Sequence, residues 1–344
     1  MTKSTGDCCG RRAFLCSAAA GTAFATCGAP AAGLLPRMVE TPALRFGLVT
    51  DSHYAQKDTW PKSGPGMRHY RDSVRKMREA TAAFTREGVD FAIELGDMKD
   101  MGPESTVTGG KKTRRDAEEL RRETLSFLDE IEGAFAGFRG PRYHVLGNHD
   151  MDSISKEDFL AHAPNHGAAR GKNWYAFDMK GFRCIALDAC FNPDGTPYNR
   201  GNFDWTKALL PNDELDWLDA ELAAATTPVF VFSHQLLDGF SKIGRSVLVG
   251  NWRRAVEIFE RHGNVRCVFQ GHHHEGHYSF RKGIHYWTMK AMITGPYPAR
   301  NSFAVVEASK DGDVSIRGFV DCPNRFLPVG PRRFQIVEQG PISY

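Results

Sequence analysis

The sequence lacks a long apolar run and a basic block. Its most apolar stretch, which ends near Ala25, is too short and too rich in alanine and glycine to form a stable membrane-spanning helix. The Lys/Arg and Asp/Glu totals of 44 and 41 are scattered along the 344 residues and leave a formal charge of only +3, which argues against a dedicated nucleic-acid binder. The composition also excludes a disordered or collagen-like chain, so a sizeable folded core is expected.

Cysteine is scarce outside the first residues of the chain. Four of the eight cysteines fall among residues 1–36, and the other four show no zinc-type spacing. These four are Cys184, Cys190, Cys267 and Cys322. Cys184 and Cys267 lie inside apolar, strand-like runs, which favours buried free thiols.

The amino terminus has the pattern of an export signal. Arg11 and Arg12, followed by an alanine-rich apolar run, resemble a twin-arginine signal. We expect residues 1–36 to be this signal and a short linker, residues 37–344 to be the folded domain, and the protein to be exported to the periplasm or the extracellular space. Cleavage sites of the small-x-small type stand at residues 23–25 and 29–31. A lipid anchor on Cys27 is the weaker alternative, because Thr26 stands where a small Gly or Ala is usual, so no stable membrane anchor is expected.

From residue 44 onwards, short apolar runs rich in β-branched residues alternate with longer amphipathic stretches, which is typical of an α/β layered domain. The predicted strands are 44–50, 89–95, 143–146, 182–187, 228–232 and 265–269. The predicted helices are 70–86, 117–135, 212–225 and 252–262. Residues 285–320 predict additional antiparallel strands. The simplest architecture is a single two-sheet β-sandwich flanked by helices, with four layers in the order αββα.

Five short polar motifs follow the apolar runs or lie in loops between elements. They are Asp51-Ser52-His53, Gly96-Asp97, Gly147-Asn148-His149-Asp150, Ser233-His234 and Gly271-His272-His273-His274. Ligands collect at the carboxyl ends of strands in α/β sheets, so these motifs can converge on one crevice. Each motif alone is weak evidence for a ligand site, whereas five such motifs in this order predict a shared site.

The residue types in these motifs suit a pair of divalent metal ions. Imidazoles favour Mn, Fe or Zn, and carboxylates extend the range toward Mn and Mg. With Asp51 and Asp97 as the only carboxylates, two divalent ions would leave a net charge of about +2 to hold hydroxide and phosphate. A bridging carboxylate at Asp97 would keep the ions about 3.5–4 Å apart, which suits an in-line displacement at phosphorus.

In this order the motifs resemble the signature of calcineurin-like metallophosphoesterases over roughly residues 44–320. The resemblance implies a phosphohydrolase in which a hydroxide between two metals attacks phosphorus, and it makes residues 37–344 the metallophosphoesterase domain. It also implies two ligand sets that share a carboxylate: Asp51, His53 and His274 on one metal, Asn148, His234 and His272 on the other, and Asp97 between them.

The same resemblance assigns roles beside the metals. His149 is not a ligand in that family; it faces the phosphate, where it stabilises charge or protonates the leaving oxygen. Asp150 is the expected partner of His149, so both are predicted to be catalytic, and Asn148 is expected to face the substrate as well as a metal. Asp100, three residues after Asp97, is either a supporting partner or a surface loop residue.

Within the superfamily, the sequence resembles most the manganese-dependent ADP-ribose/CDP-alcohol diphosphatases. The similarity lies in residues 68–73, 174–177, 187–189 and 251–253 and continues through the C-terminal strands. This similarity implies manganese as the metal cofactor and a nucleoside diphosphate-linked small molecule as the substrate. His53 is a departure, because those diphosphatases carry Gln at this position, so simple phosphate esters stay open as substrates.

Two aromatic residues are candidate stacking partners for a nucleobase. Tyr54 directly follows the first metal motif, and Phe203 lies in a loop with Gly201 and Asn202. Ordinary loop packing is the alternative for both. The alternative functions are a simple phosphomonoesterase, a nuclease, for which no basic groove is evident, and a non-catalytic metal-binding protein.

Overall fold

The computed structural model describes residues 39, 41–64, 66–108 and 111–330. The export signal and linker predicted for residues 1–36 lie outside these described residues, so the signal and the domain boundary at residue 37 stay predictions.

The described residues form fourteen strands and five α-helices. The strands are β1 Leu44–Val49, β2 Phe91–Glu94, β3 Ser105–Thr108, β4 Lys111–Arg114, β5 Arg142–His144, β6 Tyr175–Met179, β7 Phe182–Ala186, β8 Val229–Ser233, β9 Val265–Gln270, β10 His277–Arg281, β11 Ile284–Thr288, β12 Ser302–Ala308, β13 Val314–Val320 and β14 Arg325–Leu327. The helices are α1 Ser73–Glu87, α2 Ala117–Phe135, α3 Lys156–His162, α4 Asn212–Ala224 and α5 Trp252–His262.

Two six-stranded sheets form the centre of the fold. The first has the order β14-β13-β12-β1-β2-β5 and the second the order β10-β11-β9-β8-β7-β6. Strands β1, β2 and β5 are parallel in the first sheet, and β7, β8, β9 and β11 are parallel in the second. The parallel strands are almost entirely buried, as expected for sheets covered on both faces.

Aromatic side chains join the two sheets. The ring of Phe46 in β1 lies 5.7 Å from that of Phe232 in β8 and 5.4 Å from that of Phe269 in β9, in edge-to-face contact. On the opposite face of β1, a Cβ on Gly47 would lie 2.6 Å from the ring of Phe84 in α1. Glycine at position 47 therefore allows α1 to lie directly on the first sheet.

The helices cover the outer faces of the sandwich. Helix α1 contacts β1, β12 and α2 on the first sheet, and α4 and α5 pack on each other, with α5 against β9 of the second. Asp116 caps the amino terminus of helix α2, and its carboxylate accepts the amides of Glu118 and Glu119 at 3.0 and 3.1 Å. Helices and two packed sheets in this arrangement confirm the predicted four-layer α/β fold.

Among the described residues, no helix has both the length and the apolar character needed to cross a bilayer. Cys184, Cys190, Cys267 and Cys322 are buried and free, as the sequence favoured for two of them.

Candidate active site

Polar loops from both sheets meet at one edge of the sandwich. They follow the carboxyl ends of β1, β2 and β5 in the first sheet and of β8 and β9 in the second. Backbone hydrogen bonds join the loops after β1 and β2, because the amides of Asp51 and His53 donate to carbonyl oxygens of Gly96 and Asp97 at 3.0 and 2.8 Å. Motifs that are far apart in the sequence thus form one site.

The first group of candidate ligands is Asp51, His53 and His274. Nε2 of His274 lies 3.3 Å from Oδ1 of Asp51 and 3.2 Å from Nε2 of His53. Nε2 of His53 lies 3.7 Å from the same carboxylate oxygen. The three donor atoms lie within 4.8 Å of one another, which is close enough for them to share one ion.

The second group is Asp97, His234 and His272. Nε2 of His234 lies 3.1 Å from Oδ2 of Asp97 and 3.2 Å from Nδ1 of His272. Oδ2 of Asp97 is also 3.5 Å from Nε2 of His53 in the first group. The carboxylate of Asp97 therefore lies between the two groups, where the sequence places the bridging ligand.

Several polar side-chain atoms of the site are arranged as cation ligands would be. Oδ1 of Asp51 and Oδ1 of Asn148 are buried without a hydrogen-bond partner within the described part of the chain, a costly arrangement unless a cation is bound. The other oxygen of Asp51 accepts the hydroxyl of Thr50 at 2.7 Å and the amide of His272 at 3.0 Å. Nδ1 of His234 donates to the carbonyl oxygen of Leu95 at 2.8 Å, so its Nε2 is left to face the site.

Asp97, His53 and His272 have the charges that metal ligands need, whereas His234 would release a proton on binding an ion, because Asp97 raises its pKa to about 9 against the effect of burial. Burial lowers the pKa of His53 to about 4 and that of His272 to about 3, so both rings are neutral at physiological pH. Burial alone would raise the pKa of Asp97, but the neighbouring His234 and His149 hold it well below its usual range. Ionised carboxylates and neutral imidazoles are the forms that bind divalent ions.

Four of the candidate ligands have a left-handed backbone conformation. The φ angles are 51° at Asp51, 45° at His53, 59° at Asp97 and 64° at His272. Non-glycine residues rarely adopt this region, and such strain concentrates at functional sites. The strand ends therefore turn sharply, and these side chains point into the crevice.

Glycines in the motifs allow the loops to approach closely. A Cβ on Gly147 would lie 2.3 Å from Oδ1 of Asp97, and one on Gly96 would lie 2.6 Å from Nδ1 of His234. Gly96 also has a φ of 99°. Any side chain at these two positions would displace a candidate ligand.

His149 lies beside the ligands and is held by Asp100. Its Nδ1 is 2.7 Å from Oδ1 of Asp100, and its ring centroid is 4.7 Å from that of His53. Burial opposes the charged form of His149, but the carboxylates of Asp100 and Asp97 outweigh it and raise the pKa to about 9. Lys57 binds the second oxygen of Asp100 at 3.0 Å. Nδ1 is thus engaged, and Nε2 is left to face the crevice.

The predicted partnership between Asp150 and His149 is wrong. Asp150 is completely buried, and its carboxylate accepts the amides of Asp97 and Met98 at 2.9 Å and that of Gly147 at 2.8 Å. The short 3₁₀ turn His149–Met151 places neighbouring side chains in different directions. Asp150 therefore fastens two metal loops together and does not act on substrate.

The prediction that Tyr54 stacks a nucleobase is also wrong. Its side chain is 1% exposed, its hydroxyl donates to Glu130, and the ring of Phe127 covers it edge-on at 5.9 Å. Phe203 is half-buried and stacks on Tyr198 with the ring centroids 4.3 Å apart, so one face of its ring is already covered.

Two residues near the candidate ligands were missed by the sequence reasoning as site residues. The positive charge of Arg68 contributes to the lowered pKa of His53, and its guanidinium has no ion pair among the described residues. Trp205 is 48% exposed, and its ring lies 5.8 Å from that of His272. For Trp205, the signal that the sequence offered was a tryptophan within a polar stretch.

Comparison with known proteins assigns the class that this fold and site define. A family model described as calcineurin-like phosphoesterase matches residues 44–276. The chain belongs to this family, and it is a metal-dependent hydrolase.

The curated relatives are more specific. A manganese-dependent ADP-ribose/CDP-alcohol diphosphatase from Xenopus laevis is 23% identical over 331 residues, which cover 80% of this chain and 88% of the relative. The protein of the same name from Arabidopsis thaliana is 23% identical over 314 residues, covering 80% and 94%.

Solved structures share the fold. A dimetal phosphatase from Danio rerio has a TM-score of 0.67 at 20% identity and covers 84% of this chain and 100% of its own. A purple acid phosphatase from yellow lupin has a TM-score of 0.53 at 13% identity, with coverages of 81% and 52%.

Proposed function

We propose that this protein hydrolyses the diphosphate bond of small, nucleoside diphosphate-linked molecules with the help of two divalent metal ions. The observation that carries the proposal is the convergence of two ligand groups on the shared carboxylate of Asp97. The curated relatives are manganese-dependent ADP-ribose/CDP-alcohol diphosphatases, which favours diphosphates as substrates and manganese as the metal.

The residues present fit two ions. Asp51, His53 and His274 would hold one, and His234 and His272 the other, together with the unpartnered amide oxygen of Asn148. When bound, such ions polarise a phosphoryl oxygen and lower the pKa of water, which makes a nucleophile available at neutral pH. Iron and zinc are the other metals that this donor set suits.

The chain itself binds the phosphate and supplies a proton. The positive charge of Arg68 contributes, after burial, to the lowered pKa of His53, and its planar guanidinium is suited to a phosphate. His149 is protonated at neutral pH, since the carboxylates of Asp100 and Asp97 raise its pKa to about 9 against the effect of burial. Its Nε2 proton is transferred to the oxygen of the leaving group as the bond to phosphorus breaks. Asp100 accepts from Nδ1 and keeps the ring in that orientation.

A simple phosphomonoesterase is the second candidate, and His53 is the observation that favours it. The resemblance described in the sequence analysis implies Gln at this position in the manganese-dependent diphosphatases, whereas the imidazole of His53 gives the first metal group a further nitrogen donor. A second imidazole in that group shifts the metal preference toward zinc or iron, and with it the substrate preference toward simpler esters.

A substrate panel tests these candidates. Protein prepared with Mn²⁺, Fe²⁺ or Zn²⁺ is assayed on ADP-ribose, CDP-choline, a phosphomonoester and single-stranded DNA, with Asp97→Ala as the inactive control. Release of AMP from ADP-ribose and of CMP from CDP-choline, fastest with Mn²⁺, is expected. Turnover confined to the monoester would favour the second candidate, cleavage of DNA would favour a nuclease, and no turnover with bound metal would favour a metal-binding protein.

We also propose that the protein is exported through the twin-arginine route. The support is the Arg11-Arg12 pair and the apolar run that follows it.

A further inference from the structure

Trp205 is a large apolar side chain on the surface beside a candidate metal ligand. It is 48% exposed, and its ring meets the imidazole of His272 at 5.8 Å and 64°. Among the described residues, no other aromatic ring or cation packs on the indole. An exposed indole beside the candidate metal ligands is in a position to contact a ligand bound there.

The loop that carries Trp205 is firmly built. Asp204 accepts the amide of Thr206 at 3.1 Å and its hydroxyl at 2.7 Å, which forms a tight turn around the tryptophan. Lys207 pairs with the second oxygen of Asp204 at 3.0 Å. On the other side, Phe203 stacks on the buried ring of Tyr198. These contacts hold the residues on both sides of Trp205, which lowers the entropy cost of placing the indole against a ligand.

We propose that Trp205 is the platform on which the nucleobase of the substrate stacks, and that it determines the specificity of the enzyme for nucleoside-linked over base-free diphosphates. This inference rests on the proposed function, because it takes the phosphates to lie at the two ligand groups. His272 belongs to the second group, so a base joined through its ribose to a phosphate there lies within reach of the neighbouring indole.

Stacking also sets a limit on the selectivity. Every base has an aromatic face, so a stacking platform distinguishes nucleotides from base-free phosphates but barely distinguishes adenine from cytosine. Substrates with adenine and with cytosine should therefore be accepted alike, and only a diphosphate without a base should be rejected.

Two substrate pairs test the platform. The kcat/KM values for ADP-ribose and CDP-choline are compared with that for diethyl diphosphate in the wild type, Trp205→Ala and Trp205→Phe. Trp205→Ala should lower both nucleotide values by about 5- to 150-fold and leave the value for diethyl diphosphate unchanged. Trp205→Phe should restore most of the loss, because it keeps an aromatic face.

Trp60 offers a matched control, since it is the other strongly exposed tryptophan of the described residues, at 63%. Trp60→Ala should keep the ratio between nucleotide and base-free substrates. An equal loss on both substrate types in Trp205→Ala, or the same change of ratio in Trp60→Ala, would overturn the platform.

A binding measurement separates this inference from the proposed reaction. Calorimetry on the manganese-loaded protein compares α,β-methylene-ADP with methylenediphosphonate, neither of which can be cleaved between its phosphorus atoms. The wild type should bind the nucleotide about 5- to 150-fold more tightly, and Trp205→Ala should bind the two within a few-fold. If the wild type shows no preference for the nucleotide, the platform is wrong even where hydrolysis is found. If the preference is present and depends on Trp205, the platform stands even where the reaction proves different.

Discussion

Replacing Asp100 with Asn tests His149 as the proton donor. Oδ1 of Asp100 lies 2.7 Å from Nδ1 of His149. Although burial opposes the charged ring, Asp100 and Asp97 raise its pKa to about 9. An opposite charge at this distance changes a pKa by about 1–3 units. The variant should therefore lower the pKa of His149 by about that amount, while the amide of Asn still accepts from the ring.

The direction of the effect on activity follows from the role of the proton. Only protonated His149 can donate, so activity is full below its pKa and is lost as the pH rises through it. Against the effect of burial, Asp100 and Asp97 raise the pKa of His149 to about 9, and ions bound at Asp97 offset part of this rise, so the alkaline limb of the wild-type kcat profile should lie below that value. In Asp100→Asn the limb should move about 1–3 units further toward lower pH. The measurement is kcat for ADP-ribose against pH at saturating Mn²⁺.

Asp150→Asn is the matched control, because Asp150 follows His149 in the sequence but binds backbone amides instead. Asn replaces one acceptor oxygen of Asp150 with an NH₂ group that faces a backbone N–H. The loss of this hydrogen bond should lower the free energy of unfolding by about 1.5–3 kcal/mol. The alkaline limb of the kcat profile of Asp150→Asn should stay at its wild-type pH. An unmoved limb in Asp100→Asn, or the same movement in both variants, would refute the assignment of His149 and its partner.

Four further outcomes are expected. Asp97→Ala should lose metal and turnover together, because it removes the shared carboxylate; two tightly bound ions with normal turnover would contradict the bridge. His149→Asn should keep both ions and lower kcat by about 10²- to 10⁴-fold, whereas loss of metal, measured by elemental analysis, would make His149 a ligand. Gly147→Ala should lower the free energy of unfolding by about 1–3 kcal/mol in a denaturant titration, because the new Cβ would lie 2.3 Å from Oδ1 of Asp97; unchanged stability would show that the loops relax freely. Replacing Arg11 and Arg12 with Lys should retain the protein in the cytoplasm, as judged by fractionation, and unchanged export would point to another route.

The sequence predicted the central layers of the fold because their signal is strong. Strands β1, β2, β7, β8 and β9 are buried on both faces and read as short apolar runs, and α2 and α5 follow an amphipathic pattern over many turns. Helix α3 was missed because seven residues are too few to show a helical period, although Ser155 and Asp158 form a capping box. The β3–β4 hairpin was missed because β4 is exposed throughout and has no apolar alternation.

The motifs predicted which loops meet, but not where every side chain points. Asp150 was paired with His149 because the two are adjacent, yet the 3₁₀ turn directs its carboxylate to the amides beneath the site. Tyr54 was a candidate for stacking a nucleobase because it follows a metal motif, but its ring is buried against Phe127 of α2. Contacts of this kind depend on long-range packing, which local sequence patterns do not carry.

The left-handed backbone at Asp51, His53, Asp97 and His272 has a consequence for the order in which the protein matures. Each such residue costs about 1 kcal/mol or more, so the four together cost a good part of the net stability of about 5–15 kcal/mol that a domain has. Hydrogen bonds between the loops and the packed sheets beneath them hold this geometry, and they form when the chain folds. Because the folded sandwich fixes the geometry of the candidate ligands, we expect metal uptake to follow folding. A destabilising change anywhere in the sandwich should for the same reason weaken metal retention, even when it lies far from every ligand.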